Sequence, residues 1–498
     1  MKWNNSIKIL LLILIPIHTI AGKSTDGGAE VKISFELDEN TTYGRDGSMT
    51  VTVFKKYFHG APELNHQIHT ESFRDGKAVF LIELPEPSAY MKFECLIGNS
   101  LFSFNNINAV FLAEPGDEIH IILTEKGPKI SGRGSEKYIS RLRLIQTLYE
   151  SDDDKFSELV NKRKYAELLR SLDDYFSTRE IQLLNCLDKY QRYMHSSVYE
   201  TMTYDCIGFL RGRKMEWIAQ LLNNADITAQ ERDLLSDYVF KMQMTEMDTL
   251  TSYQQRAYFY LNYLVGLAFV GEELVQLANQ RSFKSELAFN AVFERIVNTF
   301  DGELRDNMIM ELFAQFGAKQ DSSNDVLEKA LAIVIDTECL RGLSAYKKKM
   351  QKGAPIYPFV LLDTAGNSYK PNDFKGKRVL MDFWYNGCLG CIGMAQSLQS
   401  VKDQFVGDTT LVFVTVNVDL KRERWIQGIR SGKYTSRGGI DLRVNGFGSK
   451  NPMLKYYGYN SYPRLLIMNE KGEILSSNPP NPRNKAGRER LIRLLKEN

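Results

Sequence analysis

The stretch from Arg378 to Cys391, Arg-Val-Leu-Met-Asp-Phe-Trp-Tyr-Asn-Gly-Cys-Leu-Gly-Cys, decides the fold of the C-terminal third of this chain. Its run 379–384 is apolar apart from Asp382 and is too short for a helix, so it predicts a buried central strand. The residues after it carry apolar side chains at helical spacing, namely Met394, Leu398 and Val401. This spacing predicts a helix that begins at Cys388.

The position of the two cysteines predicts a redox site. A thiol at a helix start faces unpaired N–H groups and the positive end of the helix dipole. Both favour the thiolate, which is the form that attacks a disulfide. Cys388 is therefore the candidate nucleophile, and Cys391, about one turn further on, is spaced to resolve the mixed disulfide.

A zinc site is the alternative reading of two cysteines at this spacing. Structural zinc takes four ligands, usually from a second pair of Cys or His downstream. No Cys follows Cys391 and no His follows His195, so we expect no metal here. The histidines His59, His66 and His69 lie close together, but their Gly- and Pro-containing surroundings predict an exposed loop. We expect no other cofactor.

Two further segments give a resemblance to a known family. Asp382-Phe-Trp384 followed by Cys388-x-x-Cys391 resembles the thioredoxin motif, and Tyr462-Pro463-Arg464 resembles the family's cis-proline loop. The lead-in over 353–377 is similar to the exported TlpA/ResA-like branch. The likeness covers about 352–498, and it departs from the family pattern at three positions, Gly387, Gly390 and Gln396.

The resemblance implies a thiol–disulfide oxidoreductase that works through a Cys388–Cys391 disulfide. Cys388 attacks, Cys391 resolves, and the buried Asp382 serves as the acid/base that helps Cys391 lose its proton. The substrate groove is implied to include Trp384, Tyr462, Pro463 and Arg464. Because the residues between the thiols are Leu389 and Gly390, without charge to stabilise a reduced form, a reductase is favoured over an oxidant.

Two other functions compete with this one. A peroxiredoxin-type peroxidase needs Thr three residues before its cysteine and Pro four residues earlier, where this chain has Tyr385 and Met381. A non-catalytic scaffold protein that carries a thioredoxin module is the other alternative. It would have no need to keep both cysteines together with Asp382 and Pro463.

The N-terminus predicts export. Residues 1–21 read as a signal peptide, with Lys2 and Lys8 before an apolar core and a cut near Ala21; an uncleaved anchor is the alternative. We therefore expect a periplasmic location, with membrane association left open. The later apolar run 257–270 is too short for a span and predicts a buried helix.

The rest of the chain predicts two more domains. Alternating apolar and polar residues over 28–132 predict an all-β sandwich. Proline is absent between Pro128 and Pro355, which predicts an all-α domain over 133–346. Residues 347–353 follow as a linker and 354–498 as the α/β thioredoxin fold, in which 420–450 reads as an insertion near the site.

The charge of the chain is unevenly distributed, which bears on its expected partners. Residues 351–498 hold 23 Lys and Arg against 12 Asp and Glu, although the whole chain is only +2. This surplus is either a solvated face or a rim that steers acidic partners, made of Lys421, Arg422, Arg424, Arg430, Lys433, Arg437 and Arg464. The expected partners are protein thiols or disulfides and, for a reductase, a membrane or exported electron donor.

The sequence also bears on assembly and on the remaining cysteines. A homo-oligomer through the β or helical domain is a candidate arrangement. The widely spaced Cys95, Cys186, Cys206 and Cys339 read as small buried hydrophobic residues, with a structural disulfide among them as the alternative. No nucleic-acid recognition motif is present, so we expect no nucleic-acid partner.

Overall fold

The computed structural model describes the following parts of the chain: 30–39, 47–58, 66–97, 100–103, 110–149, 153–222, 227–246, 254–279, 285–317, 323–350, 352–444, 448, 451–459, 462–483 and 485–496. They fall into two compact units. The predicted signal peptide, 1–21, and His59 lie outside the described residues.

The first unit begins with a β-sandwich, as the sequence predicts. Its described strands are β1 (Glu30–Leu37), β2 (Gly47–Phe54), β3 (His66–Ser72), β4 (Lys77–Glu83), β5 (Ala89–Ile97), β6 (Ser100–Ser103), β7 (Val110–Ala113), β8 (Glu118–Thr124) and β9 (Gly127–Arg133). One sheet has the order β4-β1-β8-β9, and the other has β3-β2-β5-β6 with β7 on β5. Phe35 of the first sheet meets Phe93 of the second edge to face at 5.3 Å, so the facing sides share one core.

Helices follow the sandwich in the same unit: α1 (Ser135–Tyr149), α2 (Asp153–Asn161), α3 (Tyr165–Asp188) and α4 (Ser196–Leu222). Buried salt bridges fix the start of α1, because Lys137 pairs with Glu114 at 2.9 Å and with Asp117. Tyr138 stacks on Phe111 at 5.4 Å and so extends the sandwich core.

The later helices are α5 (Ala229–Glu246), α6 (Tyr258–Asn279), α7 (Ser285–Thr299), α8 (Gly302–Phe316), α9 (Ser323–Ile333) and α10 (Thr337–Met350). Helix α6 belongs to the first unit up to Tyr263, and the rest of these helices belong to the second. In the part of the chain that the structure describes, α6 alone is long and apolar enough to cross a membrane. Most of its side chains are buried in the protein, as a core helix requires.

The C-terminal region is an α/β domain with a seven-stranded sheet. Its elements are β10 (Leu361–Leu362), β11 (Ser368–Tyr369), β12 (Arg378–Trp384), α11 (Leu389–Lys402), β13 (Leu411–Asn417), α12 (Arg422–Arg430), β14 (Ile440–Val444), α13 (Pro452–Tyr456), β15 (Arg464–Met468), β16 (Ile474–Ser476) and α14 (Lys485–Lys496). The strand order is β11-β10-β14-β13-β12-β15-β16. Strand β12 runs parallel to β13 and antiparallel to β15, and all seven of its residues are buried. The two cysteines therefore follow the most deeply buried strand of this sheet.

Several local predictions need correction. His66 and His69 lie on β3 rather than in a loop, because their strand pairs with β2 through its backbone and leaves polar side chains outward. The segment 420–450 contains regular elements of its own, since it supplies α12 and the sheet strand β14. Helix α10 continues to Met350, through the first residues of the expected linker.

Candidate active site

The cysteine pair sits at the start of α11. Cys388 is the N-cap residue of this helix, with extended backbone angles, and it is joined to Cys391 by a disulfide. Its Sγ accepts a hydrogen bond from the Cys391 N–H at 3.1 Å. Cys388 keeps 4% of its surface exposed whereas Cys391 keeps none, so a partner thiol reaches Cys388 first.

The loop before the cysteines is fixed by side chains from later in the chain. The Asn386 N–H donates to Asp419 Oδ2 at 2.8 Å, and the Gly387 N–H donates to the Tyr434 hydroxyl at 2.9 Å. Gly387 has φ of +106°, a backbone conformation that a side chain would strain. This requirement accounts for glycine at a position where the family usually has Trp.

Trp384 does not line the substrate groove, contrary to the prediction. Its ring is fully buried and stacks on Tyr434 at 4.9 Å with an interplanar angle of 5°. Gly428 of α12 packs against it so closely that a Cβ there would lie 2.6 Å from the ring. Trp384 therefore supports the cysteine loop from beneath, and no substrate can contact it in this conformation.

The predicted proline loop lies beside the cysteines. The Tyr462–Pro463 bond is cis, and the Tyr462 carbonyl oxygen lies 3.8 Å from Cys388 Sγ. Pro463 Cδ lies 3.3 Å from the point where a Cβ of Gly390 would be. The half-exposed Tyr385 meets the Tyr462 ring edge to face at 5.9 Å, so two tyrosines border the opening to Cys388.

Asp382 lies in the middle of β12 and is 2% exposed. Its neighbours in register are Thr415 on β13 and Leu465 on β15. No described residue hydrogen-bonds its Oδ1. Burial raises the pKa of this carboxyl well above its usual value, because the charged form loses its hydration. Asp382 therefore holds a proton more tightly than an exposed carboxyl does, which suits a group that accepts and releases protons.

A small cavity adjoins Asp382. Its volume is about 10 Å³, room for about one water molecule. Its lining residues are Leu380, Asp382, Ala395, Leu398, Phe413, Val414, Thr415 and Ser436. Ala395 lies four residues, about one helical turn, after Cys391 on α11, so the cavity lies on the side of the helix that carries Cys391.

Two arginines flank the cysteine loop. Arg424 Nη2 donates to the Asn386 carbonyl at 2.7 Å, and its Nε pairs with Asp419 at 3.3 Å. Arg483 Nη1 lies 3.6 Å from the Cβ position of Gly390. Sequence reasoning included Arg424 in the basic rim but missed Arg483, because only the folded chain brings residue 483 to the space that Gly390 leaves.

The other four cysteines are not part of this disulfide. Cys95, Cys206 and Cys339 are buried free thiols, and Cys186 is half-buried and free. Burial raises the pKa of Cys95 to about 12, which makes it inert as a nucleophile. Over the described parts of the chain, no cluster of three or more His, Cys, Asp or Glu residues could hold a metal.

Fold and site together define the C-terminal region as thioredoxin-like, with a disulfide at a helix N-terminus. A model of the thioredoxin-like family matches residues 376–474. The chain is 26% identical over 132 residues to the thioredoxin-like protein YneN of Bacillus subtilis, a match that spans 26% of this chain and 74% of that protein.

Solved structures are similar over the same part of the chain. One is the thioredoxin domain of a thiol-disulfide oxidoreductase from Bacteroides vulgatus, with 27% identity, 26% of this chain and 87% of that chain covered, and a TM-score of 0.23. Another is a thiol:disulfide interchange protein from Bacteroides sp., with 25% identity, 27% and 86% coverage, and a TM-score of 0.24.

Proposed function

We propose that this protein is an exported thiol–disulfide oxidoreductase of the TlpA/ResA-like branch that exchanges disulfides with protein partners, acting as a reductase. The observation that carries the proposal is the Cys388–Cys391 disulfide at the N-terminus of α11, with Cys388 the more exposed of the pair. A cysteine in this position is held as a thiolate by the helix N–H groups and dipole.

The reaction runs in two exchanges. The Cys388 thiolate attacks one sulfur of the substrate disulfide, and the other substrate sulfur leaves as a thiolate. Cys391 then gives its proton to the Asp382 carboxylate and attacks Cys388. The Cys388–Cys391 bond forms, and the substrate sulfur that was bonded to Cys388 leaves as a thiolate. Two electrons have then passed to the substrate. An exported donor restores the dithiol in the cell.

The substrate lies over the proline loop in this proposal. The Tyr462 carbonyl, 3.8 Å from Cys388 Sγ, lies where the backbone beside the substrate sulfur has to pass. Tyr385 and Tyr462 supply apolar contact on one side of the opening, and Arg464 follows the proline. Arg424 and Arg483 border the loop of the cysteines, so acidic residues near the substrate disulfide are favoured.

Periplasmic location is part of the proposal. It rests on the N-terminal sequence and fits the chemistry, because a reductase outside the cytosol needs a donor to recharge it. The β-sandwich and the helices would then present the redox domain to its donor or to its substrates.

The test is the reduction of insulin by dithiothreitol with the chain lacking residues 1–21. The Cys388→Ser variant is expected to fall to the rate of dithiothreitol alone. Cys186→Ser is the matched control, since it removes a half-buried free thiol elsewhere, and it is expected to keep the wild-type rate. Equal rates for wild type and Cys388→Ser would eliminate the oxidoreductase and leave the scaffold function.

A trapping experiment identifies the partners. In Cys391→Ser the second exchange is blocked, so the mixed disulfide between Cys388 and its substrate accumulates. The trapped proteins are separated under non-reducing conditions and identified by mass spectrometry. The double variant Cys388→Ser, Cys391→Ser is the control and is expected to trap none.

A further inference from the structure

A row of polar side chains crosses one face of the C-terminal sheet at the level of Asp382. The register pairs Asp382 of β12 with Thr415 of β13, and Thr415 with Asp441 of β14. Neighbours in register on parallel strands point to the same face of the sheet. Two residues earlier on the same face, Leu380 and Phe413 are buried and apolar, so the polar row is a local exception.

The members of the row are within reach of one another. Thr415 Oγ1 donates to Asp441 Oδ1 at 2.8 Å. Thr415 and Asp382 line the same water-sized cavity, together with Ser436. One water molecule in this cavity can bridge the Asp382 carboxyl to the Thr415 hydroxyl. The row therefore links a fully buried acid to Asp441, which is only partly buried.

A lysine closes the outer end of the row. Lys402, the last residue of α11, has a buried Nζ that no described residue hydrogen-bonds, and it lies 5.3 Å from the centre of the Phe413 ring. The backbone at Gly439 makes room for it, since a Cβ there would lie 3.4 Å from Nζ. Attraction between Lys402 and Asp441 opposes the rise that burial causes in the pKa of Asp441.

We propose that Asp382, Thr415 and Asp441 form a proton relay that connects Cys391 to solvent, with Lys402 as the charge that keeps Asp441 able to accept a proton. This inference rests on the proposed function and adds positioning residues to it. The groups that titrate in and around the relay are Asp382, Cys391 on α11, Asp441, Lys402 and Asp403, whose charge acts on Lys402. On β15 the neighbour of Asp382 is Leu465, which does not titrate.

Protons balance along this route. Asp382 takes the proton of Cys391 before the second exchange and afterwards gives it to the cavity water. The water passes a proton to Thr415 Oγ as the Thr415 hydroxyl gives its own to the Asp441 carboxylate. Asp441 then releases that proton to solvent, and Asp382 is a carboxylate again. No electron is transferred in these steps.

The test is a single-turnover reaction of reduced enzyme with a disulfide-linked peptide, followed in H₂O and D₂O from about pH 6 to about pH 9. Thr415→Val removes the hydroxyl at nearly constant volume, and Asp441→Asn removes the acceptor. Each is expected to slow formation of the Cys388–Cys391 bond roughly tenfold and to alter its pH profile and solvent isotope effect. Thr415→Ser is expected to restore the wild-type rate.

Alkylation of Cys388 distinguishes a proton relay from a purely structural role of Thr415 and Asp441. The rate at which iodoacetamide alkylates Cys388 is expected to stay unchanged in all three variants, because the first exchange does not use the relay. The relay is overturned if Thr415→Val and Asp441→Asn keep the wild-type rate and pH profile, or if Thr415→Ser is as slow as Thr415→Val. Failure of the proposed function looks different, since Cys388→Ser itself would then be as fast as wild type.

Discussion

Asp205 in the first unit and Asp382 in the second are both buried carboxyls, and they differ in what surrounds them. Asp205 accepts hydrogen bonds from the Tyr90 hydroxyl at 2.7 Å and from the Phe259 N–H at 3.1 Å. Burial raises its pKa to about 6, and attraction to Arg141 limits the rise. Asp382 has burial alone acting on its pKa, which rises well above the usual value.

The contrast separates a structural carboxyl from a candidate functional one. A buried acid with two donors and a nearby guanidinium recovers much of the hydration energy that it loses. An acid without such partners destabilises the fold when it is ionised, so its presence calls for a role that only a proton-exchanging group can fill. The comparison makes opposite predictions for activity and for stability at the two sites.

The largest expected effect is on disulfide exchange. Asp382→Asn removes the group that takes the proton of Cys391, so the single-turnover rate is expected to fall about a thousandfold. Asp205→Asn is the matched control and is expected to keep the wild-type rate. If both variants react at the wild-type rate, Asp382 is no acid/base and the comparison fails for catalysis.

Stability is expected to change at the other site. Asp205→Ala removes the carboxylate that accepts from the Tyr90 hydroxyl and the Phe259 N–H and that attracts the buried Arg141, at a cost of about 3 kcal/mol in the free energy of unfolding. Urea unfolding followed by tryptophan fluorescence measures this loss. An unfolding free energy equal to that of wild type would show that the partners of Asp205 contribute nothing.

The pH dependence of stability sharpens the same contrast. Because the folded protein holds the proton of Asp382 more tightly than the unfolded chain does, the stability that this group contributes is complete below the unfolded pKa of about 3.9 and is lost as pH rises towards the folded value. Asp382→Asn in the oxidised protein is therefore expected to melt above wild type at neutral pH, by about 2 °C or more for each kcal/mol recovered.

The same comparison of melting temperatures at low pH is the control for this experiment. Well below pH 4 the carboxyl is protonated in both the folded and the unfolded state, so the difference in melting temperature between Asp382→Asn and wild type is expected to shrink as pH falls towards that range. A variant that melts higher by the same margin at every pH would assign the gain to packing rather than to the charge of Asp382.

The sequence predicts local features of this molecule well and contacts between distant segments poorly. Strand β5 falls at 89–97, as its alternation of apolar and polar residues indicates, and Cys388 is the N-cap residue of its helix. Both follow from neighbours in the chain. The helical content of 133–346 follows equally from the absence of proline.

What the sequence misses depends on partners that only folding brings together. Trp384 reads as a groove residue because nothing near it in the chain reveals that Tyr434 will cover it. The hydrogen bond from Thr415 to Asp441 joins residues 26 positions apart on adjacent strands. The sequence does contain one indication of the polar row, since Thr415 interrupts the apolar run of β13 on the face that packs against α11.

The smallest expected effect concerns the charge around the cysteines, where the surfaces of the site meet solvent. Arg483 lies beside Gly390, so it is expected to favour substrates with acidic residues next to their disulfide. For a disulfide peptide flanked by Asp, kcat/KM of Arg483→Gln is expected to fall about threefold, with the difference fading at high salt because exposed charges are screened. Arg490→Gln removes the same charge from the exposed side of α14 and is expected to leave kcat/KM unchanged. If kcat/KM falls equally in the two variants, or falls equally with a Lys-flanked peptide, Arg483 acts only through the net charge of the protein.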